Sequence, residues 1–162
     1  MDLLFWKTAH VISAAILFGT GIGIAFFCWF GYRLAMRRED VGALRAVLRL
    51  TVRADAWFTA PAAAFQLISG LVMVHLLGWS YAAPWFIASV LLYLFVGACW
   101  LPVVWMQIRL AHMAEAAQDI AALPAQFHRI FSYRFALGVP AFAAMLLLFY
   151  VMVAKPLAVA AG

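Results

Sequence analysis

The run of residues from Leu3 to Phe30 constrains the fold of this chain more than any other feature, because it is long and apolar. After Lys7, the chain continues to Tyr32 without an Asp, Glu, Lys or Arg. These residues, about 25 in all, exceed the roughly 20 that a helix needs to cross the hydrocarbon core of a bilayer. The run lacks a basic leader and a clear small-x-small cleavage site, so we expect it to be kept as a membrane helix.

The composition of the whole chain supports the same environment. Of its 162 residues, 69% are hydrophobic and only 10% are charged, whereas a soluble domain carries about a quarter charged residues. We therefore expect the lipid bilayer to surround most of the protein. The net charge of +5 does not indicate nucleic-acid binding, because the basic residues are confined to the segments between apolar runs.

The apolar runs predict an all-α fold, an integral membrane four-helix bundle that forms a single transmembrane domain over residues 1–162. The expected spans cover residues 3–30, 57–77, 85–107 and 135–153. Between the first two spans, Arg45, Arg49 and Arg53 recur every four residues, with apolar side chains on the other side. This spacing predicts a short amphipathic helix that either lies at the lipid headgroups or extends the second span.

The distribution of basic residues predicts the orientation. The two long connections carry nine arginines, whereas the other side of the bundle has Lys7 and Lys155. By the positive-inside rule both connections are cytoplasmic, so the two termini and the turn at 78–84 are periplasmic. We expect a multi-pass protein of the bacterial inner membrane.

Two histidines fall inside or near the ends of spans on the outer side, His10 in the first and His75 in the second. An ionisable residue within a membrane helix is a functional-site hypothesis by default. Two imidazoles on neighbouring helices at similar depth can supply the two axial ligands of a b-type haem. Ala14 and Gly21, on or beside the His10 face, would leave room for the flat macrocycle, and Trp79 would line the mouth of the pocket.

Structural roles for the same residues stand beside this hypothesis. His10 can make an interhelical hydrogen bond, and His75 can reach the interface from its helix end. His112 and His128 flank the second long connection, and their spacing matches no metal motif, so we expect them in a solvated loop. The two cysteines lie within apolar runs and are expected to be small apolar fillers.

Several short motifs resemble those of a superfamily of small membrane proteins. The motifs are the opening WKTAHVISAAILFGTGIG, Asp55, Thr59-Ala60-Pro61, Ser69-Gly70-Leu71, Trp85 and Lys155-Pro156. That superfamily contains the HemJ type of protoporphyrinogen oxidase, the CopD copper-resistance proteins, the membrane-bound urate oxidase domain and a family of predicted integral membrane proteins of unknown function. The chain is most similar to the last of these.

The resemblance implies a four-helix bundle with haem b as cofactor, and His10 matches the first-helix histidine of HemJ. HemJ-like chains also have a W-x-H-x-K pattern at the start of the third helix. Here the corresponding stretch, Trp85 to Ser89, has neither the histidine nor the lysine. That departure leaves His75 as the remaining candidate for a second outer ligand.

These patterns lead to competing hypotheses. The first is a haem b protein with a redox or electron-transfer role. It would be an enzyme if it acts as a haem-dependent oxidoreductase, and its redox partner would be quinol, porphyrin or a protein. The alternative is a non-catalytic membrane subunit or assembly factor, in a homo- or hetero-oligomer. Copper handling is disfavoured because clustered Met and Cys ligands are absent from the sequence. A proton-relay transporter is disfavoured because no carboxylate lies within a predicted span.

Overall fold

The fold, in a computed structural model that describes residues 2–155, is helical over almost its whole length. Its elements are α1 (Leu3–Arg38), α2 (Val41–Ala54), a π-helical turn (Asp55–Thr59), α3 (Ala60–Leu76), α4 (Pro84–Ala116) and α5 (Ala125–Ala154). The proline of the Lys155-Pro156 motif lies outside the described residues.

The four predicted spans are confirmed by length and composition. Within the described residues, four helical stretches are long and apolar enough to cross a membrane, and α2, the π-turn and α3 together form one of them, Val41–Leu76. The helices extend further than the apolar runs: α1 continues to Arg38, α4 continues to Ala116, and α5 begins at Ala125. The extra turns all project from one end of the bundle.

We call that end the arginine-rich end; it contains α2, the α1–α2 turn and the α4–α5 connection. The opposite end, the terminal end, contains the start of α1, the α3–α4 turn and the end of α5. α1 packs on α2 and α3, α4 packs on α5, and α2 also packs on α4. The main apolar core lies toward the arginine-rich end, where Leu44, Leu48, Leu110 and Phe127 are fully buried.

The sharp turn between α1 and α2 follows from its sequence. Glu39 ends α1 in the left-handed conformation, with φ of 53°, and its backbone N–H returns to the last turn of the helix. The Asp40 side chain then accepts a hydrogen bond of 2.8 Å from the backbone N–H of Ala43. This is the N-cap arrangement that starts a helix, so two residues suffice to reverse the chain.

The helix from α2 to α3 keeps one buried face along its whole length. That face consists of residues at intervals of four, three, four, four, three, four and three: Leu44, Leu48, Thr51, Asp55, Thr59, Ala62, Gln66 and Ser69. These seven intervals average about 3.6 residues, as in a regular α-helix, so the face stays continuous through the π-turn. Pro61 accounts for the position of the π-turn in the helix, because a proline cannot donate to the carbonyl four residues earlier and its ring crowds that carbonyl.

The sequence left two roles for the amphipathic segment with Arg45, Arg49 and Arg53: a helix at the headgroups or an extension of the second span. The continuous buried face from α2 to α3 favours the extension. α2 extends the second span rather than forming a separate helix at the headgroups.

Candidate functional site: a polar seam between two membrane helices

The His10 imidazole is held between α1 and α3 by both of its ring nitrogens. Nδ1 lies 2.7 Å from the Ser69 hydroxyl oxygen, and Nε2 lies 2.8 Å from the side-chain nitrogen of Gln66. The ring also lies close to the α3 backbone, since a Cβ at Gly70 would be 3.5 Å from His10 Cε1. A glycine at this position therefore lets the imidazole approach the helix.

The surrounding hydrogen bonds determine the tautomer. The Ser69 hydroxyl donates to the carbonyl of Phe65 at 2.7 Å, so its oxygen accepts the proton of His10 Nδ1. Nε2 is then unprotonated and accepts from the Gln66 amide. The Gln66 carbonyl oxygen is buried and, within residues 2–155, has no hydrogen-bond partner. The His10 imidazole is thus neutral, and the carbonyl oxygen of the neighbouring Gln66 is an acceptor that is left free.

Further polar contacts join the same two helices toward the arginine-rich end. Ser13 donates to the carbonyl of Ala62 at 3.0 Å, and the Thr59 hydroxyl donates to that of Thr20 at 3.2 Å. We call this set, from His10, Gln66 and Ser69 through these contacts to Asp55, the polar seam. From Asp55 to Ser69 the chain rises about 21 Å at 1.5 Å per residue, which is most of the roughly 30 Å hydrocarbon thickness.

Asp55 ends the seam in a buried network that joins three helices. The Gln107 side-chain nitrogen of α4 donates to Asp55 Oδ2, and Arg134 Nη2 of α5 donates to the Gln107 carbonyl oxygen at 3.2 Å. Gln107 is fully buried, Asp55 is 6% exposed and Arg134 is 5% exposed. Arg134 Nε is buried without a partner among the described residues. We call these three side chains the Asp55–Gln107–Arg134 network.

This network contains a buried carboxylate two residues before the predicted start of the second span, in the same continuous helix. Asp55 lies in the continuous helix Val41–Leu76, at the first residue of the π-turn, and points into the bundle. The apolar run alone placed the start of the second span at residue 57. The buried face continues through the π-turn, however, so Asp55 belongs to the interior. Arg134 likewise lies inside the bundle rather than in the connection.

The structure does not bring the other predicted cofactor residues to His10. His75 is exposed; at 100° per residue it lies about 120° around α3 from Ser69 and roughly half a turn from Gln66. Ala14 is half-buried, and Gly21 is exposed with open space around a would-be Cβ. Trp79 belongs to the terminal end, where its ring lies 3.5 Å from the Lys155 ammonium.

These positions do not fit a haem whose axial ligands are His10 and His75. Both nitrogens of His10 are engaged by α3, so neither is free for iron, and the second imidazole faces away from the first. Within residues 2–155, no group of three or more His, Cys, Asp or Glu side chains is arranged to hold a metal ion.

Two of the three arginines in the α2 stripe have partners within the protein. The Arg45 guanidinium donates to the carbonyls of Ala114, at 3.0 Å, and Ala117 at the end of α4. Arg49 pairs with Glu115 at 2.6 Å, both well exposed. Cations are favourable at a helix C-terminus, so the stripe fastens α2 to α4.

The remaining histidines are at the arginine-rich end. His128 lies in α5, where its Nδ1 is 2.8 Å from the Tyr32 hydroxyl of α1, and His112 lies exposed on α4. Both are helical, so the loop expected around them is shorter than the sequence indicated.

Comparison with known families identifies the chain at the level of a membrane family. A family model described as "Predicted integral membrane protein (DUF2269)" matches residues 4–156. The chain belongs to this family. The match spans all the helices described above, which confirms the predicted membrane family; its place in a superfamily with HemJ and CopD stays a prediction. No curated protein and no solved structure matches the chain.

The family description names no activity. The geometry of the polar seam is therefore the evidence for what the site can do. Sequence reasoning missed the pairing of His10 with Gln66 and Ser69, and it missed the burial of Asp55. A usable signal was present in the spacing of Thr59, Gln66 and Ser69, which all lie within about 40° of Asp55 around the helix at 100° per residue.

Proposed function

We propose that this chain is a proton-carrying membrane protein whose path follows the polar seam. One observation carries the proposal: a titratable side chain lies at each end of a polar line between two membrane helices, His10 at one end and Asp55 at the other. Buried ionisable residues within membrane helices characteristically belong to ion pathways and proton relays. The network around Asp55 joins that end of the seam to α4 and α5.

The terminal end of the seam suits proton exchange. A proton taken up at His10 Nε2 requires Gln66 to turn its free carbonyl oxygen toward the ring, which gives that oxygen a donor. Transfer of the Nδ1 proton to the Ser69 oxygen, while the hydroxyl proton of Ser69 passes to a water molecule on the terminal side, then returns a neutral imidazole. Histidine is the side chain whose ordinary titration range lies nearest physiological pH, so one ring can serve as acceptor and donor.

The central part of the seam requires water. From Ser13 to Thr20, a rise of about 10 Å along α1, no polar side chain of α1 is hydrogen-bonded across the seam. Water molecules entering beside the Thr20–Thr59 pair would bridge this gap, since a water needs two to four polar partners and both hydroxyls and the Ala62 carbonyl are there.

The orientation belongs to the same proposal. All nine arginines of the chain lie at the arginine-rich end or in the helix turns that lead to it. By the positive-inside rule this places that end in the cytoplasm and both termini in the periplasm of a bacterial inner membrane. The Asp55–Gln107–Arg134 network then faces the cytoplasm, and His10 faces the periplasm.

Proton movement through reconstituted protein tests the proposal. Vesicles containing the purified chain, an entrapped pH-sensitive dye and a potassium diffusion potential should acidify faster than empty vesicles. Asp55→Asn and His10→Gln should each reduce the rate to that of empty vesicles. Glu115→Gln removes a carboxylate from the surface and serves as the matched control, which should conduct as the wild type does.

Two outcomes would contradict the proposal. Wild-type vesicles that acidify no faster than empty ones would exclude a proton path. Variants that lose stability but conduct normally would show that the seam only holds α1 against α3, as expected for the alternative, a non-catalytic membrane subunit or assembly factor. Such a subunit would also co-purify with a larger complex.

A haem b protein with a redox role, HemJ-like in architecture, is the second hypothesis, and the resemblance of the first helix supports it. The same preparation tests it. The hypothesis requires a Soret band after expression with ample haem supply, and loss of that band in His10→Ala. The hydrogen bonds of His10 to α3 favour the proton path instead, and they predict a colourless protein.

A further inference from the structure

The geometry points to a binding site for the phosphate headgroup of an anionic phospholipid on α4, at the arginine-rich end. The site is a shallow, largely open groove of about 510 Å³ lined by Trp105, Ile108, Arg109, His112, Met113 and Ala116. It is independent of the polar seam and of the function proposed for it.

The depth of the groove matches the headgroup layer. From Pro84 to Ile108, α4 contains no Asp, Glu, Lys or Arg, and this run rises about 36 Å, which is longer than the roughly 30 Å hydrocarbon core. Arg109 is the first charged residue after it. The guanidinium therefore lies where the apolar span ends, at the level of the lipid phosphates.

The electrostatics favour an anion. Within residues 2–155, neither Arg109 nor His112 pairs with a carboxylate: Glu115, one turn from His112, is paired with Arg49. Asp119 accepts from the backbone N–H of Ala122. The Arg109 guanidinium lies 5.2 Å from the centre of the Trp105 ring, so its position is fixed while its N–H donors stay available.

The shape of the surface favours a lipid over a soluble anion. A second groove of about 400 Å³ shares Met113 and Ala116 with the first and continues toward the α4–α5 connection. The floor of the first groove is apolar, with Ile108 and Met113, and Trp105 is exposed on its membrane side. A phosphate between Arg109 and His112 would leave the glycerol and the first acyl carbons on these apolar side chains.

The contrast with α2 strengthens the assignment. Arg45 and Arg49 are bonded to α4, so the cationic stripe that the sequence suggested for headgroup contact is largely occupied. Arg109 has no carboxylate partner among residues 2–155, and it is the arginine that lines the apolar groove.

Native mass spectrometry of the full chain in detergent, titrated separately with phosphatidylglycerol and phosphatidylcholine, tests the site. The wild type should retain phosphatidylglycerol in preference to phosphatidylcholine. The double variant Arg109→Gln, His112→Gln should weaken phosphatidylglycerol binding about fivefold or more, as expected for each cationic charge lost near a lipid surface. Arg109→Lys keeps the charge and should retain most of the preference.

The matched control is Arg33→Gln. Arg33 also lies at the arginine-rich end over a tryptophan, 5.7 Å from the Trp29 ring, but outside the groove, so this variant should bind as the wild type does. Equal losses in the control and the double variant would overturn the site in favour of general surface charge. Equal retention of the two lipids would also overturn the site. Displacement of phosphatidylglycerol by inorganic phosphate at equal concentration would overturn it too, because it would indicate that the site binds a soluble anion.

Discussion

Removal of the Arg134 guanidinium should destabilise the bundle by leaving the Asp55 carboxylate buried without a cation. In Arg134→Met, a side chain of similar length fills the space, but Gln107 loses the donor to its carbonyl oxygen. Asp55 is 6% exposed, so bulk water cannot replace the lost charge.

The expected size of the effect follows from the burial. Removing one partner of a buried ion pair costs about 3–5 kcal/mol. Here the two charges interact through the Gln107 amide rather than directly, so we expect about 3 kcal/mol, the lower end of that range. Asp55→Asn in the same chain removes the orphaned charge but keeps an oxygen for Gln107. The double variant should therefore recover about 2 kcal/mol relative to the sum of the single changes.

Equilibrium unfolding in mixed detergent micelles, followed by far-UV circular dichroism, measures these differences. Arg129→Met is the matched control, because Arg129 lies on the same helix but is exposed; it should change the free energy of unfolding by less than about 0.5 kcal/mol. Additive effects in the double variant, or an Arg134→Met as harmless as the control, would refute the network as a coupled unit.

Three further changes test contacts elsewhere in the bundle. Gly31→Ala would place a Cβ 2.6 Å from the rigid branched side chain of Val47 and should cost about 1–3 kcal/mol in the same unfolding assay. Gly21→Ala, which meets open space, should not. Arg45→Gln should lose about 1–2 kcal/mol, because the end of α4 loses a charged donor to its carbonyls. Lys155→Gln removes a cation from two tryptophan rings and should lower stability by about 0.5–1 kcal/mol; an unchanged unfolding curve would show that this contact is only incidental.

Much of the architecture could be predicted from the apolar runs. A bilayer demands helices with internally satisfied backbones, so the four runs were sufficient to predict four helical spans. His10 was also identified as an interior residue, because an imidazole in such a run needs a partner. The helix ends were less accurate, since polar segments continue as helix where they pack on each other, as α2 does on α4.

The candidate site depended on information that no single run contains. Asp55 looks like part of a polar connection because the apolar run begins only at residue 57, although Asp55 continues the buried face of α3.

The sequence by itself determined that this chain lies in a membrane, because its apolar surface has no other suitable solvent. Only the tertiary structure decided which polar groups meet: His10 with Gln66 and Ser69, and Asp55 with Gln107 and Arg134. Hydropathy measures each residue's cost of leaving water, whereas hydrogen bonds between helices depend on register and rotation, which only packing determines.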